Sequence, residues 1–473
     1  MLDKATKRIV YIDLPFMLPH EILAEIAAQP DFNLDGAEFG AEAEKLVHEW
    51  CQNVGEDEAK RWIGLGVHGD GVPFLAKMRD SLEQISWSLV GLPTTSRVLF
   101  IAIPKSYVDD QKTWDAVWAV WNWSMECLKQ GKYPSARHNG ASWRNGDAWR
   151  KKRQGQPLGV HAATVQVRGD WMFYKQLFNF PSWSSHEICW KCRANKHTFK
   201  QCGLSAPWRS QRRLGQQFLQ ELIAAGLHVS EFFKCPGLLM DHFMIDWLHA
   251  VDLGVAQDVI GNLFWDVLPF LDGQNAEDRV ACLFRRIKHF YHTNKCSSRF
   301  TNLTKTMIKQ DGKPPKLRAK GAETRTLLPF ALELAAEFAS KSKHMEQVHF
   351  LFHHLLEVSN CLANAIDTES AGTHCRKFCM LYCSIEARFQ ADDDFVRWRV
   401  KPKLHMFQEL VEYIVPACGT PSLYWTHLDE SWGGFLAKLG GRRGGANTCK
   451  AIATNVGDRF RLYCDWQQFA EKD

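Results

Sequence analysis

Between residues 61 and 171 the spacing of apolar positions changes several times, and each change predicts an element. Residues 61–74 (RWIGLGVHGDGVPF) form a short apolar-rich run that reads as a first strand. Residues 82–90 (LEQISWSLV) read as a second strand, with Leu82, Trp87 and Leu89 among the apolar positions. Residues 98–103 (VLFIAI) are continuously apolar, as a strand covered on both faces should be. A helical spacing then runs over 114–128, and residues 161–167 (HAATVQV) read as a fourth strand. Before this region, residues 18–28 and 41–51 carry helical spacing. After it, apolar faces of helical period recur over 280–291, 324–340, 345–365, 373–389 and 401–415, with a last helix from 450 onward. The pattern predicts an α/β core that is continued by a large all-helical block.

At 473 residues and 45% hydrophobic, the chain can bury a large core, and its length suggests two to four structural units. The expected divisions are a helical entry segment (1–60), the first part of the core (61–171), a cysteine-rich segment (172–214), a helical insertion (215–415) and the rest of the core (416–473). No run reaches the ~18 to 20 apolar residues that a bilayer requires, and the N-terminus lacks a signal pattern, so the expectation is a soluble intracellular protein. Fifteen cysteines in that setting argue for reduced thiols and a metal site rather than a disulfide framework. The net charge of +5 is too small to declare a nucleic-acid partner, but its distribution says more. Acids crowd residues 38–58, whereas bases cluster at Arg150, Lys151, Lys152 and Arg153, at 209–213, at 313–320, and at Arg442 and Arg443. The loop over 133–159 interleaves Arg and Lys with Trp and Tyr, which suits either a phosphate-neutralising, base-stacking groove or a plain surface loop.

Three features carry candidate chemistry. Asp70 ends the first strand and Asp170 follows the fourth. Three strands, a helix and a fourth strand, with an Asp at the ends of the first and fourth, is the order in which the ribonuclease H-like fold presents its first two metal-binding carboxylates. Converging carboxylates hold two divalent cations about 4 Å apart for in-line attack on a phosphodiester; an isolated Asp-Gly is otherwise a turn dipeptide. Second, Cys189, Cys192, His197 and Cys202 follow the spacing C-x2-C-x4-H-x4-C, which is that of a zinc knuckle. A competing set keeps Cys189 and Cys192 and recruits Cys235, His242 or His249. Third, Asp246 and His249 would share one face of a helix at i and i+3. Residues 433–445, with paired glycines and two arginines, read as a mobile phosphate-binding loop or a glycine-weakened helix. No Walker A motif and no nucleophile elbow is present.

Taken in order, GVHGDGVPF, VRGDW, ICWKCRA, DWLHAVDLGV, KGAETRTLL, KPKLHMFQEL and HLDESWGGF resemble the transposases of the En/Spm (CACTA), Plavaka and Kyakuja-Dileera-Zisupton group, over residues 61 to about 460. The resemblance implies a DDE/D transposase, or its catalytic fragment, with a ribonuclease H-like core interrupted by a helical insertion. Asp70, Asp170 and Glu430 would be its catalytic acids holding Mg²⁺ or Mn²⁺, with Asp246 and His249 as an accessory motif. It implies DNA as partner, both transposon ends and target, action in the nucleus, no membrane, and leaves a homo-oligomer open. Asp429 and Glu323 are the rival third acids; Glu323 is expected to open a helix and complement its macrodipole, and Asp429, the closer rival, to cap a helix whose first residue is Glu430. A domesticated copy that binds DNA or a partner without turnover is the alternative function, and a zinc-stabilised helical interaction protein is a third.

Overall fold

The computed structural model describes residues 2–3, 8–9, 11–29, 39–58, 60–75, 80–91, 97–363, 367–441 and 448–463. The chain divides into two compact units: Met1–Phe180, Leu214–Met244 and Thr426–Asp473 form one, Pro181–Arg213 and Ile245–Trp425 the other. The cysteine-rich segment thus belongs with the helical block. Among the described residues no helix is long and apolar enough to cross a membrane.

The first unit is built on a four-stranded mixed sheet. Its strands are β1 (Trp62–Leu75), β2 (Asp80–Leu89), β3 (Val98–Pro104) and β4 (His161–Arg168), in the spatial order β3-β2-β1-β4. β1 and β2 are antiparallel with Val67 opposite Trp87, β2 and β3 are antiparallel with Ile85 opposite Ile101, and β1 and β4 are parallel with His68 opposite Arg168. All four expected strands are therefore present, and the α/β character of the core holds. All seven residues of β3 are buried although it ends the sheet order, because Met17 N donates to Phe100 O (3.0 Å) on its open edge and a C-terminal helix packs against it. Beyond β4, Met244 N donates to Val167 O (2.9 Å) and Phe243 bridges Val167 in parallel, a one-residue extension of the sheet.

Helices α1 (Pro19–Ala27) and α2 (Ala41–Val54) precede the sheet, and α3 (Asp110–Gln130) connects β3 to β4. In α3, Trp114, Val117, Trp118, Trp121, Met125 and Leu128 recur at helical spacing and are all buried. Trp121 Nε1 donates to Thr164 Oγ1 (3.3 Å) on β4, and Trp118 stands 4.5 Å from Phe232 and 5.9 Å from Phe178, ring centre to ring centre. Gly131, at φ 66°, ends the helix in the left-handed region, where a Cβ is strained. Three short helices follow in this unit: α4 (Ala148–Arg153), α5 (Trp171–Phe178) and α6 (Gln217–Ala224).

The second unit is helical: α7 (Ala256–Val267), α8 (Ala276–Thr293), α9 (Leu328–Phe338), α10 (Lys343–Ala363), α11 (Thr368–Ala391) and α12 (Lys403–Glu409). Its core holds several carboxylates, each paired with a base as burial of a charge demands. Asp266 meets His344 (2.6 Å) and donors from Arg397 and Trp398, Asp258 meets Lys401 (2.6 Å), and Glu386 meets Lys200 (2.6 Å). The chain then returns to the first unit with α13 (His427–Gly441), which packs across β1, and α14 (Cys449–Tyr463), which covers β3.

Candidate functional site

The register of the β1–β4 pair places the first two acids. His68 lies opposite Arg168, the last pair of the β1–β4 ladder, and Asp70 and Asp170 each follow two residues later. Neighbouring strands run about 4.8 Å apart. β4 has ended at Arg168, but Asp170 is still extended (φ −77°, ψ 172°). Each carboxylate has one oxygen fixed by a backbone amide: Asp70 Oδ1 accepts from Gly71 N (2.7 Å) and Asp170 Oδ1 from Phe173 N (2.7 Å). Asp170 is thereby the N-cap of α5, a structural duty that a carboxylate after a strand commonly has. Both acids are partly exposed.

Glycine decides how closely the neighbours approach. A Cβ on Gly69 would sit 2.0 Å from the Phe173 ring, and one on Gly169 2.3 Å from it, so that ring lies against bare backbone on the face opposite Asp70. On Asp70's own face, α13 crosses with Gly433, whose Cβ would meet Val72 Cγ1 at 2.8 Å and Asp70 Oδ2 at 3.9 Å. Glu430 lies one turn before Gly433 on the same helix face and is half-buried. Asp70 and the first turn of α13 thus lie on one side of the sheet, and Asp170 follows the neighbouring strand. Their oxygen donors suit a hard divalent cation such as Mg²⁺ or Mn²⁺.

Asp429 is used differently. The helix begins at His427, so Asp429 and Glu430 both lie in its first turn; Asp429 is not the cap of a helix starting at Glu430, which corrects the sequence expectation. Its carboxylate is fully buried, receives Arg97 Nε at 2.5 Å and has Arg168 Nη2 at 3.6 Å. Burial alone would raise its pKa, but Arg168, His68 and Arg97 hold it down at about 2. Arg168 is itself anchored to Ser88 Oγ (2.7 Å) and Gly66 O (3.3 Å). Burial pushes the His68 pKa down, against the nearby carboxylates of Asp429 and Asp70.

The cysteine motif closes on other partners than those its spacing suggests. Cys189, Cys192, His405 and Glu409 are all buried, and one ligand atom from each lies within 4.8 Å of every other. Cys192 Sγ is 3.3 Å from His405 Nε2, which is 3.6 Å from Glu409 Oε1. Lys191 N donates to Cys189 Sγ (3.3 Å), and Arg212 Nη1 reaches both oxygens of Glu409 at 3.1 and 3.0 Å. Burial opposes ionisation of Cys189, yet hydrogen bonds from Cys192 and His405 and the charge of His405 hold its thiol well below the usual range. Burial and the neighbouring Cys189 push Glu409 up. His197 is exposed on a turn whose amides are fixed by Asn195, and Cys202 Sγ bonds Lys200 O (3.3 Å) beside Cys383 (3.9 Å). Neither belongs to the four-residue group, and the knuckle assignment is corrected accordingly. The alternative ligands Cys235, His242 and His249 are also absent from that group. A second group, His353, His354 and His374, is half-exposed beside a cavity of about 460 Å³ lined by Phe350, Lys377 and Met380. Burial and His374 press His354 down to about 4.

Other expected residues have plainer roles. Asp246 caps its own turn, accepting from Leu248 N (3.2 Å), His249 N (2.8 Å) and lying 2.7 Å from His249 Nδ1, so this pair is a local cap. Arg150 is tied to Glu21 (2.5 Å) and Asp147 (3.0 Å) and is half-buried, whereas Lys151 and Lys152 are exposed and Arg153 stacks on Trp149 at 4.1 Å. In the cluster at 209–213, Arg209 binds Glu412 and Arg212 binds Glu409, so these charges serve the core of the second unit. Arg442 and Arg443 lie outside the described residues, and the stretch before them, to Gly441, is helix rather than loop. Sequence reading missed His405 and Glu409, although LHMFQELV carries two ionisable residues at i and i+4 within an otherwise apolar run, which is the signal of a buried polar site. It missed Arg97 and Arg168 because nothing local marks an arginine that serves a carboxylate more than 200 residues away. No protein-family model matches the chain, and comparison with curated proteins finds no relative.

Proposed function

We propose that the chain is a transposon-derived DDE/D transposase or its catalytic fragment, which cleaves and joins DNA strands at Asp70, Asp170 and Glu430. The observation that carries the reading is the parallel β1–β4 register, whose last pair, His68 and Arg168, stands two residues before Asp70 and Asp170. The ribonuclease H-like arrangement needs the first and fourth strands to be neighbours with an acid on each, and β1 and β4 are neighbours. The resemblance of the ordered motifs to En/Spm, Plavaka and Kyakuja-Dileera-Zisupton transposases supplies the third acid, Glu430, on a helix that crosses β1 above Asp70.

Asp70, Asp170 and Glu430 would hold Mg²⁺ or Mn²⁺. When bound, such a pair of ions activates the attacking water or 3′-hydroxyl and stabilises the leaving oxygen. The chain's own part is orientation. Amides of Gly71 and Phe173 preset one oxygen of each aspartate, and the buried Arg97–Asp429 pair fixes the turn from which Glu430 projects. Exposed Lys151 and Lys152 are suited to neutralise backbone phosphates. The partner is DNA, both transposon ends and target, and the place of action is the nucleus.

The test is metal-dependent cleavage of duplex DNA carrying candidate transposon ends, followed under single-turnover conditions. Mg²⁺- or Mn²⁺-dependent nicking that disappears in Asp70→Asn and Glu430→Gln supports the reading. Salt-sensitive DNA binding with no cleavage under any metal would favour a domesticated copy without turnover, and absence of both would defeat the proposal.

A further inference from the structure

We propose that Cys189, Cys192, His405 and Glu409 form a tetrahedral structural zinc site that clips the cysteine-rich segment onto α12. The proposal stands apart from strand cleavage, since all four ligands belong to the helical unit.

Geometry is the first argument. Zinc bonds of about 2.3 Å to sulfur and 2.0–2.2 Å to nitrogen or oxygen, arranged tetrahedrally, give ligand-to-ligand edges of roughly 3.4 to 3.8 Å. The edges seen here are 3.3 Å from Cys192 Sγ to His405 Nε2 and 3.6 Å from His405 Nε2 to Glu409 Oε1. Cys189 Sγ completes a group whose members all lie within 4.8 Å. Supply from the chain is equally specific. A C-x2-C turn presents two sulfurs together, and Lys191 N directs a hydrogen bond at Cys189 Sγ as outer-shell amides do for bound thiolates. On α12, His405 and Glu409 are one turn apart and face the same way.

Charge is the second argument. With zinc bound, both sulfurs would be thiolates and, together with the carboxylate, would carry three negative charges in a buried place, which requires compensation. One Zn²⁺ and the Arg212 guanidinium, already on Glu409, return the sum to zero. Sulfur and imidazole donors select zinc over Mg²⁺ or Ca²⁺, and four protein ligands leave no open position for a substrate, which makes the site structural.

The consequence is a long-range staple. Cys192 and His405 are 213 residues apart, so one ion closes a loop spanning much of the helical unit. Clips across long loops restrict the unfolded chain most, and binding to the folded state alone adds directly to stability.

The experiment is zinc stoichiometry of the purified full chain, with its cobalt-substituted spectrum, across four variants. The native chain should carry about one equivalent, and its cobalt form should show charge-transfer intensity for two thiolates. His405→Ala should lose the zinc, and Glu409→Gln should weaken it about 10- to 100-fold. His405→Cys, which keeps a ligand at that position, should retain one equivalent and gain the intensity of a third thiolate, so a folding failure of the alanine variant leaves the test intact. His197→Ala should keep full zinc. Zinc retained in His405→Ala but lost in His197→Ala would overturn the assignment in favour of the contiguous motif. A folded native chain that binds no zinc at stoichiometric concentration would overturn it altogether.

Discussion

Arg97 Nε donates to Asp429 Oδ1 at 2.5 Å with the two side chains only 6% and 0% exposed. The pair joins the residue before β3 to the first turn of α13, with Arg168 of β4 as a second cation at 3.6 Å. Successive helix residues point about 100° apart, so anchoring Asp429 against the arginines turns its neighbour Glu430 to a different direction. The two adjacent acids thereby meet different surroundings, Asp429 the buried arginines and Glu430 a half-buried position on the face that carries Gly433.

That division predicts opposite phenotypes. Asp429→Asn removes the buried carboxylate that both guanidiniums face and should cost about 3–5 kcal/mol of stability. Glu430→Gln, partly exposed, should change stability by no more than about 0.5 kcal/mol while abolishing cleavage. Denaturant unfolding of both variants checks this; equal destabilisation by the two would remove the distinction.

The same pair sets an acid limit. The folded pKa of Asp429 is depressed to about 2 from an ordinary 3.8, so its contribution is fully present above pH 3.8 and is lost as pH falls through about 2. The shift corresponds to about 2 kcal/mol. Native chain should lose that much between pH 4 and 2 through this group, and Asp429→Asn should show a correspondingly flatter profile in unfolding measured across the window. Identical slopes would deny the linkage.

Asp170 combines a cap with a candidate metal ligand, and the two are separable. Asn caps helices about as well as Asp, whereas Ala costs about 1 kcal/mol. Asp170→Asn should keep the melting temperature and lose cleavage; Asp170→Ala should lose both. If Asp170→Asn cleaves normally, its carboxylate is structural only.

DNA affinity should divide along the 148–153 helix. Neutralising Lys151 and Lys152 together should lower the slope of log affinity against log salt by about 1.8, at roughly 0.9 per phosphate contact. Arg150→Ala should leave the slope alone and cost at most about 1 kcal/mol of stability, because that side chain is bound to Glu21 and Asp147. A change of slope in Arg150→Ala and none in the lysine variant would reverse the assignment.

The strands were readable because burial on one or both faces writes period-two or continuous apolar runs, and VLFIAI is the plainest of them. Asp170 was readable because a strand's end is local; Asp70, expected at the end of the first strand, lies within it, since β1 runs on to Leu75. What escaped was long-range pairing. The arginines at 209, 212 and 213 look like a phosphate-binding run, yet Arg209 and Arg212 each answer a glutamate on a segment some 200 residues later. Cys189 and Cys192 were legible as a ligand pair by their spacing, but the remaining members came from α12 rather than from the nearest His and Cys. Spacing fixes partners only when the chain between them is short enough to have no other choice.

Sharing of divalent cations by Asp70, Asp170 and Glu430 is open to direct test in an anomalous difference map from crystals soaked in Mn²⁺. A peak is expected about 2.2 Å from a carboxylate oxygen of Asp70 and of Asp170, as for oxygen ligation of a hard cation, with Glu430 oriented toward it. A map with these carboxylates free of manganese, at a concentration that supports cleavage, would contradict it.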